Sequence, residues 1–370
     1  MKPAPLPLDV LVIGAGQAGL ALGQELRSRD LRFLLVDRNA RVGDSWRQRF
    51  DSLTLFTPRA YSALPGMPLP GDPNGYPTKD EQAGYLEAYA ARFELPVALA
   101  TGIDALERRG HLFHATTDRG DELTARAVVI ATGAFQEPVV PAIAAGLAPE
   151  VRQLTAATYG RPADVPEGRV LVVGDGATGR QIALELGGSR EVMLATGRSR
   201  RVSPDRILGR SIFWWMDRLG ITRVSPESRL GRKLKATDPF PGKHLQLDRL
   251  RERGITVTGR LDRVDGRTVT FATGERADID AVVWATGFRD RTGWVRIPGA
   301  VDARGGFLEQ RGVSPVPGLW FIGRSWQTSR GSALVTGVGR DAADIASRIE
   351  AALAVEAVVE ALPEMAATVA

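Results

Sequence analysis

A repeated pattern of apolar runs, glycine-rich turns and helical stretches organises the chain. Its first copy begins with an apolar run at Asp9–Ile13 and continues through a glycine-rich turn at 14–19. A helical stretch to about Arg29 follows, and then a second apolar run at Phe33–Val36. Strand, tight turn, helix and strand in this order are typical of a parallel βαβ unit.

The same pattern returns in the middle of the chain. An apolar run at Arg169–Val173 precedes a glycine-rich turn at 174–179, a helical stretch to Leu186 and a further apolar run at Glu191–Leu194. The second copy therefore predicts a second parallel βαβ unit.

The correspondence between the two halves extends beyond these units. A β-rich stretch follows each copy, at 103–118 and at 261–272, and each half then reaches an Ala-Thr-Gly triplet, at 131–133 and at 285–287. Two halves with the same order of elements predict an α/β fold with two Rossmann-like dinucleotide-binding domains. We expect each domain to contain a parallel sheet with a small antiparallel β appendage.

The C-terminal elements indicate how the two domains are connected. A strand at Gly318–Ile322 and a helix from about Ser332 to Ala352 follow the second unit, and we expect them to complete the first domain. Stretches rich in Pro and Gly at 138–166 and 287–317 are the predicted linkers. The predicted domains are residues 1–160 with 288–370, and residues 161–287 inserted between them.

Composition and charge exclude several classes of function. The 370 residues are 44% hydrophobic and 25% charged, as in ordinary globular proteins. The net charge is +5, and acidic residues are interspersed among the basic ones, so we attribute the charge to a general use of Arg and one local phosphate site. No nucleic-acid partner is predicted. Because the chain has no Cys, it has no disulfide, no thiolate zinc site and no redox-active Cys pair, and we predict no metal site.

The termini and one internal stretch lack the features of targeting signals and membrane spans, and two of these segments have apolar faces. No apolar signal core precedes the first strand, and no run of about 18 uncharged apolar residues occurs, so we expect a cytoplasmic protein without a membrane partner. The Ala- and Val-rich tail at 351–370 predicts a surface or interface helix, which leaves a homodimer open. Within Ile212–Leu219, we expect the apolar face of Ile212, Trp215, Met216 and Leu219 to be buried in a core or a dimer contact.

The first glycine-rich turn carries a complete dinucleotide fingerprint. Gly14 permits the tight turn, Gly16 lets the backbone approach a pyrophosphate, and Gly19 allows close packing of helix and strand. Asp37 ends the second strand, where a carboxylate accepts hydrogen bonds from ribose hydroxyls. A glycine-rich loop without a ligand is the alternative, and the strand and helix around the motif argue against it.

The second turn has cations where the first has an acid. Arg198, Arg200 and Arg201 follow its second strand, and positive charge at this position suits the 2′-phosphate of NADP. A solvated basic loop remains the alternative. A nucleic-acid patch is less well supported, because no aromatic residues are interleaved with these arginines and no known binding motif accompanies them.

Several motifs together resemble those of one family. They are the turn at 14–19, Gly43-Asp-Ser-Trp46, the segments 51–58, 64–68 and 76–80, the two Ala-Thr-Gly triplets, the second turn, and the C-terminal segments 320–323 and 327–333. In these motifs the chain resembles the flavin-containing monooxygenase superfamily over nearly its whole length. The similarity is greatest to the short bacterial members and to the plant-type indole-3-pyruvate monooxygenases.

The resemblance implies that the first domain binds FAD and the inserted domain binds NADPH. It assigns to FAD the residues Gly14, Gly16, Gln17, Ala18, Gly19, Asp37, Arg38, Gly43, Ser45, Trp46, Leu55, Thr57, Thr132, Gly133, Gly323 and Gln327. The residues assigned to NADPH are Gly174, Gly176, Thr178, Gly179, Arg198, Arg201, Thr286 and Gly287. Trp46 and 55–57 would lie beside the flavin, and Thr132 and Gly133 would line the crossing between the domains.

The resemblance also implies an activity. The expected reaction is an NADPH-dependent monooxygenation, in which a C4a-(hydro)peroxyflavin transfers one oxygen atom of O₂ to a small soft nucleophile or carbonyl compound. No catalytic side chain is assigned, because the flavin carries the chemistry. Disulfide reductases share the plan of two dinucleotide sites, but they require a Cys pair and are excluded.

One departure from the family motif keeps two other functions open. Before the second turn the family has Phe, Gly, His and Tyr at fixed spacing, and alignment on Tyr159 places Pro149, Val151 and Thr155 at the first three positions. An NADPH oxidase or flavin reductase without oxygen insertion is therefore one alternative. A non-catalytic redox sensor that binds FAD and NADPH is the other.

Overall fold

The computed structural model describes residues 6–198, 200, 202–237 and 240–368, with side chains described up to residue 358. Its strands are β1 (Leu8–Ile13), β2 (Phe33–Val36), β3 (Val97–Ala98), β4 (Ile103–Arg109), β5 (Leu112–Thr117), β6 (Glu122–Ile130), β7 (Glu137–Pro138), β8 (Arg152–Thr155), β9 (Arg169–Val173), β10 (Glu191–Ala195), β11 (Val202–Ser203), β12 (Arg206–Ile207), β13 (Arg210–Ser211), β14 (Phe240–Pro241), β15 (Thr256–Thr258), β16 (Leu261–Asp265), β17 (Thr268–Phe271), β18 (Arg276–Asp278), β19 (Ala281–Trp284), β20 (Phe288–Arg289) and β21 (Leu319–Phe321). Its α-helices are α1 (Gln17–Arg27), α2 (Asp44–Arg47), α3 (Lys79–Arg92), α4 (Ala177–Leu186), α5 (Ile212–Arg218), α6 (Arg229–Thr237), α7 (Leu247–Glu252) and α8 (Val335–Thr368).

The first sheet has the strand order β3-β2-β1-β6, and β6 pairs on its far edge with two different strands. Its C-terminal half pairs in parallel with β21, and its N-terminal half pairs antiparallel with β5, which continues to β4. The centre of β1 is fully buried, as expected for a strand that is covered on both faces of a parallel sheet. The first antiparallel appendage is therefore an extension of the same sheet.

The second sheet is entirely parallel, in the order β15-β10-β9-β19-β8. Its antiparallel appendage, β16-β17-β18, is a separate sheet. Strand β8 lies in the stretch predicted to be a linker, and it pairs with β19 at the edge of this sheet. We therefore propose that the second domain begins close to residue 140 instead of 161.

The two chain crossings between the domains contact each other. Strand β7 on the outward crossing pairs antiparallel with β20 on the return crossing. After the return, β21 joins the first sheet beside β6. The predicted plan, two similar α/β domains with the second inserted into the first, is confirmed.

The C-terminal helix differs from its prediction. The sequence suggested a helix ending near Ala352 and a separate tail helix, but α8 is continuous from Val335 to Thr368. Its first half packs against α1 through buried residues that include Ala342, Ile345 and Ile349. Beyond this contact Val355 is 65% exposed. No helix in the described residues is long and apolar enough to span a bilayer.

The prediction for Ile212–Leu219 is wrong in detail. Helix α5 buries Phe213, which is 3% exposed, whereas Leu219 is 66% exposed and Trp215 is half-buried. Phe213 faces inwards because it contacts the rings of Phe56 and Tyr61 from the first domain, at centroid distances of 6.2 and 6.1 Å. The helix therefore presents its aromatic residue to the other domain, and not the predicted face.

Two candidate dinucleotide sites

In the first glycine-rich turn, the first and last glycines have no room for a side chain, whereas the middle glycine has free space in front of it. A Cβ atom on Gly14, whose φ is +112°, would lie 2.6 Å from the Ala131 carbonyl oxygen. A Cβ atom on Gly19 would lie 1.9 Å from the Gly14 carbonyl oxygen, which is closer than any real contact. By contrast, a Cβ atom on Gly16 would meet nothing within 4 Å. The space in front of Gly16 is thus free for a ligand that approaches the backbone.

Asp37 connects the end of β2 to this turn. Its Oδ2 accepts a hydrogen bond of 2.8 Å from the backbone N–H of Ala15, and its Oδ1 accepts bonds of 2.9 Å from the backbone and side-chain nitrogens of Asn39. The carboxylate is therefore held at the mouth of the turn, and the first turn of α1 carries no side-chain cap. Arg38, next to it, is exposed.

Helix α2 is tied to the same turn. Gly43 precedes the helix with φ +87°, and a Cβ atom there would lie 2.5 Å from the Ala83 carbonyl oxygen of α3. The Trp46 indole N–H donates to Gln17 Oε1 at 3.2 Å, which joins α2 to the start of α1. Ser45 is exposed beside them. The motif at 43–46 is thus brought to the predicted FAD turn.

The segment after α2 passes between the domains. Leu55 is buried, and its N–H donates to the Pro77 carbonyl. The buried Thr57 hydroxyl lies 2.6 Å from the Ser62 hydroxyl, so it is used within the segment. Phe56, between them, contacts Phe213 of α5.

The loop after β21 also reaches the first turn. Gly323 has φ +80°, and a Cβ atom there would lie 2.7 Å from Cβ of Ala18. Both ends of the Gln327 amide are used inside the loop, with Oε1 accepting from the Arg324 N–H and Nε2 donating to the Phe321 carbonyl. In the structure Gln327 therefore stabilises the loop that carries Gly323.

The second turn repeats the geometry of the first. A Cβ atom on Gly174, whose φ is +107°, would lie 2.4 Å from the Ala285 carbonyl oxygen, and one on Gly179 would lie 1.9 Å from that of Gly174. A Cβ atom on Gly176 would again meet nothing within 4 Å. Thr178 is half-buried in the first turn of α4, which has no side-chain cap. The Thr286 hydroxyl donates to the Val139 carbonyl, and Gly287 follows with φ +96°.

A buried ion pair distinguishes the second turn. Asp175, between its first two glycines, accepts a hydrogen bond of 3.0 Å from Nη2 of Arg180, and the two side chains are 5% and 2% exposed. Arg180 also donates to the backbone carbonyls of Asp175 and Leu245. The sequence analysis missed this pair, although an acid within the turn and a cation one helical turn later were visible signals.

The strand end beside the second turn carries the predicted cations. Thr196 stands where Asp37 stands in the first domain, and its hydroxyl donates to the Thr258 carbonyl. Asp175 Oδ1 accepts from the Gly197 N–H at 3.3 Å and lies 4.0 Å from Arg200 Nε. A cavity of about 630 Å³ opens here, lined by Asp175, Arg198, Arg200 and Arg251 among others. Arg198 is exposed, and Arg201 lies outside the described residues.

A polar network joins both crossings to the loop after β21. The Gln136 amide N–H group donates to the Thr132 hydroxyl at 3.0 Å and to the Gly133 carbonyl at 2.8 Å. It also lies 3.4 Å from Asp290 on the return crossing. Asp290 in turn accepts bonds of 2.7 and 3.2 Å from Arg324, directly after Gly323. Sequence reasoning did not find this network, because its members are far apart in the chain.

A cation lies over two aromatic rings at the same junction. The Arg49 guanidinium is 4.5 Å from the ring centre of Phe135 and 5.7 Å from that of Phe288, one ring on each crossing. Burial lowers the pKa of Arg49. This contact of the two crossings with the segment after α2 is a second link between the domains.

Comparisons with known proteins place the chain in a family. The family model for pyridine nucleotide-disulphide oxidoreductases matches residues 11–207. The chain is 47% identical to a Geobacillus kaustophilus protein described as "uncharacterized oxidoreductase CzcO-like", over 90% of this chain and 96% of that protein. The chain belongs to the pyridine nucleotide-disulphide oxidoreductase family.

Within that family, this oxidoreductase is similar to flavin monooxygenases. It is 27% identical to the indole-3-pyruvate monooxygenase YUCCA1 of Oryza sativa, over 92% of this chain and 90% of that protein. The solved flavin-containing monooxygenase from Stenotrophomonas maltophilia superposes with a TM-score of 0.79 at 28% identity, covering 93% of this chain and 98% of that one. The predicted membership of the flavin-containing monooxygenase superfamily is confirmed, and so are FAD and NADPH as the cofactors of an NAD(P)H-dependent flavoprotein oxidoreductase.

The family name refers to disulphide reduction, but this member lacks the Cys residues that the reaction requires. A disulphide oxidoreductase of this plan passes electrons through a Cys pair, and this chain contains no Cys. The exclusion of that rival from the sequence therefore holds for a chain that shares the fold and the two dinucleotide turns.

The departure from the family motif is local in the structure. Thr155 ends β8, and its hydroxyl accepts from the Ala157 N–H at 3.2 Å and lies 3.3 Å from the Thr158 hydroxyl. Tyr159 is buried, and its hydroxyl donates to Glu185 at 2.7 Å. Burial and this carboxylate raise the pKa of Tyr159. The position of the family His is thus a surface turn of the second domain.

One buried amide beside the first site has unused hydrogen-bonding groups. Gln82 on α3 is fully buried, and neither its Oε1 nor its Nε2 has a partner within the described part of the chain. The next residue, Ala83, is the one that Gly43 packs against. A buried amide without partners costs about 1–3 kcal/mol, so this position fits a polar ligand or ordered water next to the α2 motif.

Proposed function

We propose that the chain is an NADPH-dependent FAD monooxygenase that transfers one oxygen atom of O₂ to a small soft-nucleophile or carbonyl substrate through a C4a-peroxyflavin. The observation that carries this proposal is the pair of equivalent turns, each open only at its middle glycine, in a chain with no Cys to accept the electrons. Reducing equivalents from a bound nicotinamide then have the flavin as their acceptor within the chain.

We propose that the first turn holds the adenosine diphosphate half of FAD. The space in front of Gly16 admits a pyrophosphate, and the uncapped N–H groups of α1 face it with the positive end of the helix dipole. Asp37 is fixed by Ala15 in the position where ribose hydroxyls are bound. These residues supply the groups that the adenosine diphosphate half of FAD needs.

The flavin end of that site would lie among three segments that converge on α1. Trp46 is bonded to Gln17, and Gly323 lies against Ala18, so both segments reach the start of this helix. Thr132 and Gly133 are held beside them by Gln136. Phe56 of the segment 55–57 stacks on Phe213 of α5, so the two domains contact each other beside this segment.

We propose that the second turn and its cavity hold NADPH. Gly176 leaves room for the pyrophosphate, and Arg198 and Arg200 flank the cavity where a 2′-phosphate needs positive charge. Asp175 accepts from the Gly197 N–H and lies beside Arg200, so it fixes the strand end that carries these cations. Arg201 stays a candidate from the sequence alone.

The bound cofactors would supply hydride transfer from NADPH to the flavin and the reaction of reduced flavin with O₂. The chain contributes positioning. The hydrogen bonds that Gln136 and Arg324 donate to Asp290 hold the two crossings and the Gly323 loop in one arrangement. Because reacting atoms must approach within about 3–3.5 Å, such fixed crossings support hydride transfer between the two sites.

An NADPH oxidase is the second candidate, and one observation favours it. Thr155 occupies the position of the family His, and its hydroxyl is used in a local turn. If the family His serves the oxygenated state, this chain would reoxidise its flavin with release of hydrogen peroxide.

The experiment combines labelled oxygen with rapid mixing. The FAD-loaded protein is reduced anaerobically with NADPH, mixed with ¹⁸O₂ and followed by absorbance, and sulfide, amine and ketone compounds are then screened for label by mass spectrometry. We expect the absorbance of a transient oxygenated flavin to form and decay before the spectrum of oxidised flavin returns. We also expect ¹⁸O in the product. Direct return to oxidised flavin with one peroxide per NADPH would reject the monooxygenase in favour of the oxidase.

A further inference from the structure

The excess positive charge of the chain is concentrated in one segment. Residues 206–237 contain eight Arg and Lys against two Asp and Glu, a net charge of +6, whereas the whole chain carries +5. This segment connects β10 to α7 and lies outside both large sheets. All eight cations are exposed. Among the described residues only Arg223 has an ion pair, with Asp217 at 3.9 Å.

Exposed aliphatic side chains accompany these cations. Leu208 forms the tip of the β12–β13 hairpin and is 87% exposed, and Ile207 beside it is 40% exposed. Leu219 at the end of α5 is 66% exposed, and Leu230 in α6 is 48% exposed. Apolar side chains interspersed with Lys and Arg are the composition of a surface that binds at the interface of an anionic membrane.

The hairpin and α5 form one continuous ridge. The Trp215 indole N–H donates to the Ile207 carbonyl at 3.0 Å, so the helix packs on the hairpin. Leu219 follows Trp215 by four residues, which places it on the same side of α5. The ridge therefore extends from Leu208 through Trp215 to Leu219, with Arg210 over the ring of Trp214 at 5.4 Å.

We propose that residues 206–237 dock this protein on an anionic phospholipid surface, with the ridge of Leu208, Trp215 and Leu219 at the level of the acyl chains. Unpaired Arg and Lys side chains attract acidic headgroups, and apolar side chains among them enter the interface. Helix α6 adds Lys233 and Lys235, two of the five lysines in the chain. No membrane-spanning helix is needed for such a contact.

Charge decides against a second copy of the chain as the occupant. A two-fold contact would bring the same surface of each molecule together, and each would carry +6. Like charges facing each other across an interface are strongly unfavourable. A membrane, by contrast, offers a continuous negative surface without a matching groove, which suits a protruding ridge.

The test is co-sedimentation of the full-length, FAD-loaded protein with lipid vesicles. One set contains phosphatidylcholine only, and the other contains about 30% phosphatidylglycerol. We expect binding to the second set alone, and its loss when salt is raised from about 50 to about 500 mM. Lys233→Glu with Lys235→Glu should reduce the partition coefficient at least about tenfold. Leu208→Ser with Leu219→Ser should reduce it at least about fivefold with the salt dependence kept.

The matched control changes the same amount of charge elsewhere in the same domain. Arg263→Glu with Arg276→Glu alters two exposed arginines of the antiparallel appendage that have no ion pair among the described residues. We expect this variant to bind like the wild type, and equal losses in both charge variants would overturn the proposal. Unchanged flavin absorbance checks that each variant is folded.

Two further outcomes would also overturn it. Wild-type protein that ignores both vesicle sets at low salt would point to an acidic protein partner. Sedimentation velocity that shows a dimer in the wild type and a monomer in the Leu208→Ser, Leu219→Ser variant would identify a second copy as the occupant.

Discussion

The two glycine-rich turns have the same backbone geometry, but the hydrogen bond that joins each turn to its strand end is made by an acid on opposite sides. In the first, the acid is on the strand end, and Asp37 accepts from the Ala15 N–H of the turn. In the second, the acid is in the turn, and Asp175 accepts from the Gly197 N–H of the strand end. Each site therefore has a hydrogen bond between the turn and the strand end, but the accepting acid lies on the strand end in the first site and in the turn in the second.

This exchange explains how one fold provides two different dinucleotide sites. A carboxylate at the strand end suits ribose hydroxyls and repels a phosphate, whereas a strand end that supplies only an N–H leaves room for arginines. Asp175 then faces Arg180 on one side and Arg200 on the other. We therefore propose that the glycines set where a pyrophosphate approaches, and that the position of one acid sets which nucleotide is accepted.

The largest expected effect is that of Gly16→Val. A Cβ atom at this position meets no protein atom within 4 Å, so the variant should fold, but its side chain would occupy the space of the pyrophosphate. We expect purified protein without flavin absorbance and without NADPH oxidation. Gly84→Val, at an exposed helical glycine with equal room, is the control and should keep its flavin. Wild-type flavin content in Gly16→Val would refute the assignment of the first turn.

Gly176→Val should separate the two sites. The second turn is equally open, so the variant should fold and retain FAD, but it should lose reduction by NADPH. Dithionite should still reduce its flavin, which shows that the first site is intact. Anaerobic titration with NADPH measures this, and normal bleaching of the flavin would show that NADPH enters elsewhere.

Asp175→Ala should affect the stability of the second domain. Arg180 would be left buried without its carboxylate, and breaking a buried pair in this way costs about 3–5 kcal/mol. The first turn has Ala15 at the equivalent position and no such pair, so flavin content should be unchanged at low temperature. Urea unfolding measures the loss, and Asp175→Ala with Arg180→Met should recover most of it. Equal destabilisation in the single and double variants would show that the pair is not the cause.

Arg198→Ala with Arg200→Ala should have the smallest effect, confined to the choice of nucleotide. Loss of charge-assisted contacts to a 2′-phosphate should raise the KM for NADPH at least about tenfold and leave the KM for NADH within about twofold. Steady-state assays with both nucleotides check this. Arg263→Ala, in the separate antiparallel sheet, is the control. A parallel rise of both constants would mean that these arginines do not recognise the phosphate.

The elements with strong local patterns were predictable from the sequence. The four apolar runs of the two βαβ units form strands, and the turns have the expected φ angles at Gly14 and Gly174. Strand β8 was assigned to a linker because four residues at a sheet edge carry little periodic signal. The local fingerprint of a βαβ unit is therefore sufficient to predict the central strands of a sheet but not a short strand at its edge.

The candidate site was predictable only where its residues belong to one motif. Asp37 and Trp46 are brought to the first turn as expected, but Gln136, Asp290 and Arg324 meet through contacts between residues more than 30 positions apart. The distribution of charge was misjudged from the sequence. Acidic residues seemed evenly interspersed, whereas 206–237 alone accounts for the whole excess.

The pairing of β21 with β6 has a consequence for the order in which the protein is made. The second sheet can be completed once Trp284 has left the ribosome, but the C-terminal half of β6 keeps an unpaired edge until β21 emerges. An unpaired edge invites contact with other chains, so the first domain should depend on chaperones during translation and the inserted domain should not. Stalled nascent chains long enough to expose Trp284 outside the ribosome, but with Leu319 still inside the exit tunnel, should therefore show a protease-resistant second domain and a digestible first domain. The insertion of the second domain into the first thus makes the first domain to begin synthesis the last to finish folding.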